Sequence, residues 1–192
     1  MKRCVLMGCL TLFVLAAATV LAGVAKESNN DPVAWTVPEC DHVGGANSIT
    51  YTTDDGVTMT ETGTMKMAVW TYGLAALEEP NTLMAAAWSD GVANLLISED
   101  AGCRWRKLGE ISDCGILSLI PGPDGVVYAW TPGWTKFYRI QGRNVTPLTA
   151  PAAIHGLAVD PEDANHLRFG SSKCQLYESR NGGKSFSRIG EA

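Results

Sequence analysis

The chain has 192 residues, 46% of them apolar and 18% charged, which suits one well-cored domain and excludes both a disordered segment and a large multidomain enzyme. Its 20 Gly and 9 Pro follow no period, so the composition is not collagen-like. Fifteen basic against 20 acidic residues give a net charge of −5 with no basic run, which removes nucleic acid from the expected partners because phosphate binding rests on clustered Lys and Arg.

In chain order, Lys2 and Arg3 precede an apolar stretch from Val5 to Ala25, followed by the polar run KESNNDP (26–32). Positive, then apolar, then small residues predict a secretory signal over 1–25, with Gly23-Val24-Ala25 as the cleavage site and a secreted or periplasmic destination. Left uncleaved, the stretch is long enough to anchor the chain in a bilayer, the one route to a membrane here. Cys40, Cys103, Cys114 and Cys174 follow the signal. Four cysteines outside the cytoplasm permit two disulfides in three pairings, with four buried thiols as the alternative. Cys103 and Cys114 are close in sequence and flank an expected strand, making them the first pair, with Cys40–Cys174 by elimination.

Three segments align without gaps: GLAALEEPNTLMAAAW (73–88), GILSLIPGPDGVVYAW (115–130) and GLAVDPEDANHLRFGS (156–171). Their leading glycines, Gly73, Gly115 and Gly156, lie 42 and 41 residues apart and are expected to be structural counterparts. Each segment reads as an apolar strand, a turn rich in Pro, Asp, Asn or Gly, and a second apolar strand. LLISEDAGCRWRKLG (95–109) and LYESRNGGKSFSRIG (176–190) then supply a third strand, a polar turn and a fourth strand. Four strands every 40 to 45 residues is the period of a β-propeller blade. The expected fold is all-β, with about four blades of four antiparallel strands in a partial or half propeller: 26–72, 73–114, 115–155 and 156–192.

The polar turns share a pattern. SEDAGCRW (98–105) carries Ser98, Asp100, Gly102 and Trp105 at positions one, three, five and eight. SRNGGKSF (179–186) carries Ser179, Asn181, Gly183 and Phe186, and TTDDGVTM (52–59) carries Thr52, Asp54, Gly56 and Met59. An Asp or Asn at position three can turn its side-chain oxygen onto backbone N–H groups of the turn. Gly at position five supplies the positive φ that reverses the hairpin, and the large apolar residue at eight returns the chain to the sheet. A fourth turn is due near residue 139, where RIQGRNVTP (139–147) lacks the Asp and the aromatic but keeps flanking strands at 136–140 and 145–149.

The pattern S-x-D-x-G-x-x-W resembles the Asp box, or BNR repeat, of sialidase-like propellers, and residues 158–186 resemble one of their blades. That superfamily includes extracytoplasmic photosystem II assembly factors, sortilin-type receptors and some glycosidases. The likeness covers about the last 120 residues clearly. It implies that Asp54, Asp100 and Asn181 sit at the outer edge with a structural, non-catalytic role. Because most such rings are larger, it also implies that four blades would leave open faces, which a homodimer could close.

Catalytic constellations are weak. The resembled enzymes grip a carboxylate with three arginines, use a Tyr nucleophile paired with a Glu, and carry F/Y-R-I-P near the N-terminus. Here Tyr138-Arg139-Ile140-Gln141 comes close but lacks the Pro and falls after two boxes. Glu78-Glu79 and Asp160 to Asp163 fall in equivalent turns, where solvated carboxylates are the better reading. His42, His155 and His166 have no metal-ligand spacing, and no phosphate loop or nucleophile elbow is present. No cofactor or metal is expected. Trp88 and Trp130 read as core between blades, whereas Trp134, after Pro132-Gly133, reads as exposed and, with Arg139, as a possible contact for a partner. The expected function is therefore a non-catalytic exported module binding a protein or a surface polymer. The alternatives are a glycoside hydrolase or sialidase relative, and a truncated propeller without independent activity.

Overall fold

A computed structural model describes Cys40 and residues 47–52, 54–66, 70–112 and 114–191; the expected signal at 1–25 and much of the first expected blade lie outside these residues. The described residues form fourteen β-strands and no helix. A short hairpin pairs β1 (Thr50–Tyr51) with β2 (Thr60–Glu61). Three four-stranded antiparallel meanders follow. The first sheet comprises β3 (Trp70–Ala76), β4 (Leu83–Ser89), β5 (Val92–Ser98) and β6 (Arg106–Ile111). The second comprises β7 (Ser118–Pro121), β8 (Val126–Trp130), β9 (Lys136–Gln141) and β10 (Asn144–Thr149). The third comprises β11 (Ile154–Val159), β12 (Leu167–Ser171), β13 (Gln175–Ser179) and β14 (Ser187–Glu191). In each sheet the strands pair in chain order, and β7 touches both β3 and β11, so the first strands of successive sheets are neighbours.

The second strands of the first two sheets, β4 and β8, are buried on both faces because packed residues lie on either side, which is why LMAAAWS and VVYAW read as nearly continuous apolar runs, whereas β12 alternates. Ala86, Leu95 and Ile111 of the first sheet pack on Leu119, Val127 and Ile140 of the second. Tyr128, Trp130 and Phe137 of the second pack on Ile154, Leu167 and Phe169 of the third. Ala85, Ala87 and Leu96 show the opposite face of the first sheet to Ile49 and Met65. Trp88 and Trp130 thus both sit between sheets, Trp88 half-buried and Trp130 buried.

Two expectations are corrected. Gly73 and Gly156 are counterparts: each follows a bulge in a first strand, opposite Ala86 and Gly170 respectively. Gly115 is not, since it precedes β7 in the connecting segment, facing Thr131, and β7 has no bulge. A gapless alignment counts residues, whereas bulges and connections absorb them without changing the pairing. The cysteine pairing also differs. Cys103 bonds to Cys40 across a sequence separation of 63, so neither Cys103–Cys114 nor Cys40–Cys174 forms. Cys114 is buried, its Sγ donating to the Ile111 carbonyl at 3.2 Å, while Cys174 occupies a positive-φ turn position between β12 and β13.

Candidate functional site

The turns at 98–105 and 179–186 join third to fourth strands, the turn at 52–59 joins β1 to β2, and all three share one hydrogen-bond scheme. In 98–105, Ser98 Oγ donates to Asp100 Oδ1 at 2.8 Å and accepts Gly102 N–H at 2.8 Å, while Asp100 Oδ1 accepts Arg104 N–H at 2.8 Å. In 179–186, Ser179 Oγ donates to Asn181 Oδ1 at 2.9 Å and accepts Gly183 N–H at 2.9 Å; Asn181 Oδ1 accepts Ser185 N–H at 3.0 Å. In 52–59, Thr52 Oγ1 donates to Asp54 at 2.7 Å and accepts Gly56 N–H at 2.9 Å; Asp54 accepts both the amide (2.8 Å) and the hydroxyl (2.7 Å) of Thr58. These bonds, led by the Thr58 hydroxyl, hold the Asp54 carboxyl at about 2, below its usual 3.8. Position three behaves as the sequence argument expected. The position-one hydroxyl, which that argument left without a task, carries half of the scheme. Positive φ also extends to position four, at Asp55, Ala101 and Gly182.

Positions five and eight face the preceding unit. A Cβ on Gly183 would lie 2.7 Å from the Phe137 ring, and one on Gly102 would lie 3.1 Å from Thr62. Phe186 meets Phe137 and Phe169 edge-on with centroids 6.0 and 5.0 Å away, and Trp105 packs against the cluster of Met65, Ala85, Ala87 and Leu96. Met59, at the same position of the first turn, is 63% exposed. The expected fourth turn is reduced to Gly142-Arg143 between β9 and β10, too short to need an acidic staple. Beside the second turn lies an open cleft of about 260 Å³ lined by Ile97, Glu99, Asp100, Arg104, Trp105 and Arg106. Its charges are committed, with Arg106 bridged to Glu99 at 2.6 Å and Asp100 bound to its own turn.

The opposite end of the meanders, where first strands begin and second strands turn into third, carries exposed aromatics. Trp70, Tyr72 and Leu74 alternate along β3 with about half of each exposed, and the Trp70 and Tyr72 rings are 6.4 Å apart. Ile116, just before β7, is also exposed. Trp134 is 42% exposed, and its ring stands 3.7 Å from where a Cβ on Gly115 would lie. Its loop is sewn to the start of β11, with Gly133 N–H on Ile154 O at 2.7 Å and Ile154 N–H on Trp134 O at 2.9 Å. The tryptophan therefore stands on a fixed backbone. No charged residue occurs in β3 or in the Thr131–Thr135 loop. Trp134 was legible from its Gly/Pro loop. Trp70, Tyr72 and Leu74 were missed, since their alternation looks like any half-buried strand.

Arg139 lies elsewhere, on β9, half-buried, in register with Tyr128 and with its Nη1 on Gln141 Oε1 at 2.8 Å. Burial pushes the Tyr128 phenol up, the neighbouring Arg139 opposing, and its hydroxyl donates to the Ala164 carbonyl at 3.0 Å. The structure does not bring Arg139 and Trp134 into one site. Among the described residues, no three His, Cys, Asp or Glu side chains gather to hold a metal ion.

No family model matches the sequence. The chain is 34% identical over 183 residues to the dispase autolysis-inducing protein of Streptomyces mobaraensis, covering 94% of this chain and 46% of that protein. It thus spans about half the length of that curated relative. Among solved structures, the GH74 enzyme of Niastella koreensis superposes with a TM-score of 0.56 at 17% identity, over 73% of this chain and 21% of that one. A chain of the nidogen–laminin complex gives 0.56 at 12% identity, over 75% and 56%. These structural likenesses bear on the fold, and with the three four-stranded meanders they make the chain an all-β protein of β-propeller blades.

Proposed function

We propose that the chain is a non-catalytic exported module of the sialidase-like, Asp-box propeller type that binds another protein through the aromatic rim formed by Trp70, Tyr72, Ile116 and Trp134. The observation that carries this reading is the rim itself. Large apolar side chains stand exposed on backbone already fixed by strand pairing and by the Gly133–Ile154 seam, so little ordering entropy is lost on docking. The three staple turns at the other end match the Asp-box hydrogen-bond logic and serve the fold, with residues 26–192 as the propeller region. Export is supported by the Cys40–Cys103 disulfide, a bond that persists in oxidising compartments. A protein partner is favoured over a polymer by the name of the 34% identical relative, which describes an effect on a protease.

Dispase is the natural first probe. The full chain should bind dispase or accelerate its autolysis, and replacing Trp70 and Trp134 together by Ala should weaken the effect at least tenfold, or about 1.4 kcal/mol, with the circular dichroism unchanged. A double variant as effective as the wild type would remove the rim from the interface. The glycosidase alternative has its own test in fluorogenic glycosides, where turnover abolished by Arg139→Ala would replace the binding reading with an enzymatic one.

A further inference from the structure

The third sheet turns Leu167 and Phe169 toward its neighbour and places Arg168 and Glu178, cross-strand partners, on the other face. On that face His166, with 13% of its side chain exposed, lies between two carboxylates. Its Nδ1 is 2.8 Å from Asp160 Oδ2 and its Nε2 is 2.8 Å from Glu178 Oε1. A carboxylate only accepts, and a neutral imidazole has one donating and one accepting nitrogen. Both contacts are attractive together only when both ring nitrogens carry protons.

The two carboxylates are not held alike. Glu178 also accepts Arg168 Nε at 3.1 Å and Nη2 at 2.9 Å, and Arg180 Nη2 at 3.2 Å. Asp160, besides the imidazole, is met by backbone amides of its own turn, that of Glu162 at 2.9 Å and that of Asp163, and by no arginine among the described residues. When the imidazole is neutral, one ring lone pair faces a carboxylate, and the part able to yield is the 160–166 turn rather than the doubly gripped Glu178. That turn is also the seam of the third sheet. Ala164 O accepts the Tyr128 hydroxyl from the second sheet at 3.0 Å, and Asn165 O accepts Gly182 N–H from the staple turn at 2.9 Å.

We propose that His166 is a proton-operated clasp, which when doubly protonated ties the 160–166 turn to β13 and when neutral loosens the seam to Tyr128 and Gly182. The charged groups at it are Asp160 of its own turn and Glu178 of β13, the latter shared with Arg168 of β12 and Arg180 just beyond, while its own amide donates to the Asp163 carbonyl. From β11 the nearest residues, Ala158 and Val159, are uncharged, and β14 places Ser187 opposite Glu178. The carboxylate side is ready across the useful range. Glu178 is held at about 2, first by His166 and then by Arg168, and Asp160 is lowered, first by the Glu162 amide and then by His166. Both groups are lowered in the folded state, so what they add is present above the ordinary carboxylate range and lost as the pH falls, for Glu178 toward about 2. The other control is the second ring proton itself: bound, it lets both nitrogens donate, and released, it leaves one lone pair against a carboxylate. The clasp is closed in mild acid and opens as the pH rises.

The test is amide hydrogen exchange on the full chain at about pH 5.5 and about pH 8, corrected for the intrinsic pH dependence of exchange, with ¹⁵N NMR of the ring. Protection of the Gly182 amide should fall roughly tenfold across that interval, with both His166 nitrogens protonated at the lower pH. Asp160→Asn keeps an acceptor without the charge, so it should fold and show little of the step; His166→Asn should give low protection at both pH values. The exposed His155→Asn should leave the step intact. Equal protection of the wild type at both pH values, a step that survives Asp160→Asn, or a singly protonated ring at about pH 5.5 would each overturn the clasp.

Discussion

The hydroxyls of Thr52, Ser98 and Ser179 each bind an amide four residues on, but in different surroundings. Ser98 and Gly102 are buried, so Ser98→Ala should strand an amide and cost about 1–3 kcal/mol in urea denaturation, whereas the exposed Thr52→Ala should cost less than about 1 kcal/mol. The staple glycines divide in the same way. Gly56 (φ +89°) has open space where a Cβ would go, so Gly56→Ala should cost only the left-handed backbone penalty, about 1–2 kcal/mol. Gly183 (φ +84°) has a ring 2.7 Å away, so Gly183→Ala should add an overpacking loss of about 1–3 kcal/mol. A third prediction is spectroscopic. The Asp54 carboxyl is held at about 2, so its turn should be intact above the ordinary carboxylate range and open as the pH falls. The Thr58 amide shift should titrate with a midpoint near 2 rather than 3.8. Positions three and five of these turns were legible because only a few residue types provide a short acceptor or a free positive φ. The hydroxyl at position one was not, because Ser and Thr fill polar turns for many reasons.

Among the elements, the closest seam joins the segment after β2 to the second staple turn. Gly63 N–H donates to Gly102 O at 3.0 Å, and a Cβ on Gly63 would fall 2.0 Å from Cys103 O. The Cys40–Cys103 bond crosses the same turn. A loop of that separation predicts a loss of about 4 kcal/mol on reduction, seen as a lower urea midpoint in dithiothreitol or in Cys40→Ser. Reduction that left the midpoint unchanged would show that the hydrogen-bonded seam suffices. The meanders were readable from apolar runs separated by Gly, Pro and Asn, and β9 and β10 emerged at Lys136–Gln141 and Asn144–Thr149, close to the expected spans. The disulfide was misread because proximity in sequence stood in for proximity in space. Cys103 sits in a turn that faces the preceding unit, and nothing in its local sequence says so. Gly115 was misplaced for a related reason: the connection from β6 to β7 and the bulge-free β7 spend residues differently from the other two sheets.

At the scale of the molecule, sequence periodicity conveyed the architecture and said little about the rim, because exposure of Trp70 or Ile116 depends on what lies beside a strand rather than on the strand itself. The uncharged rim and the charged face around Glu178 give the array unlike surfaces. The Trp70/Trp134 double replacement tests the first surface and the pH dependence of Gly182 protection the second, and the two readouts are independent.

Gly183 rests on Phe137 and Leu148 of the sheet before it, and Gly102 on Thr62 just after the short hairpin, neither on its own sheet. A hairpin and its predecessor's outer half therefore behave as one piece of joinery, displaced by about half a sheet from the repeat that the alignment counts. Chimeras cut between a second and a third strand should preserve these joints, whereas exchanges at sheet boundaries should sever them.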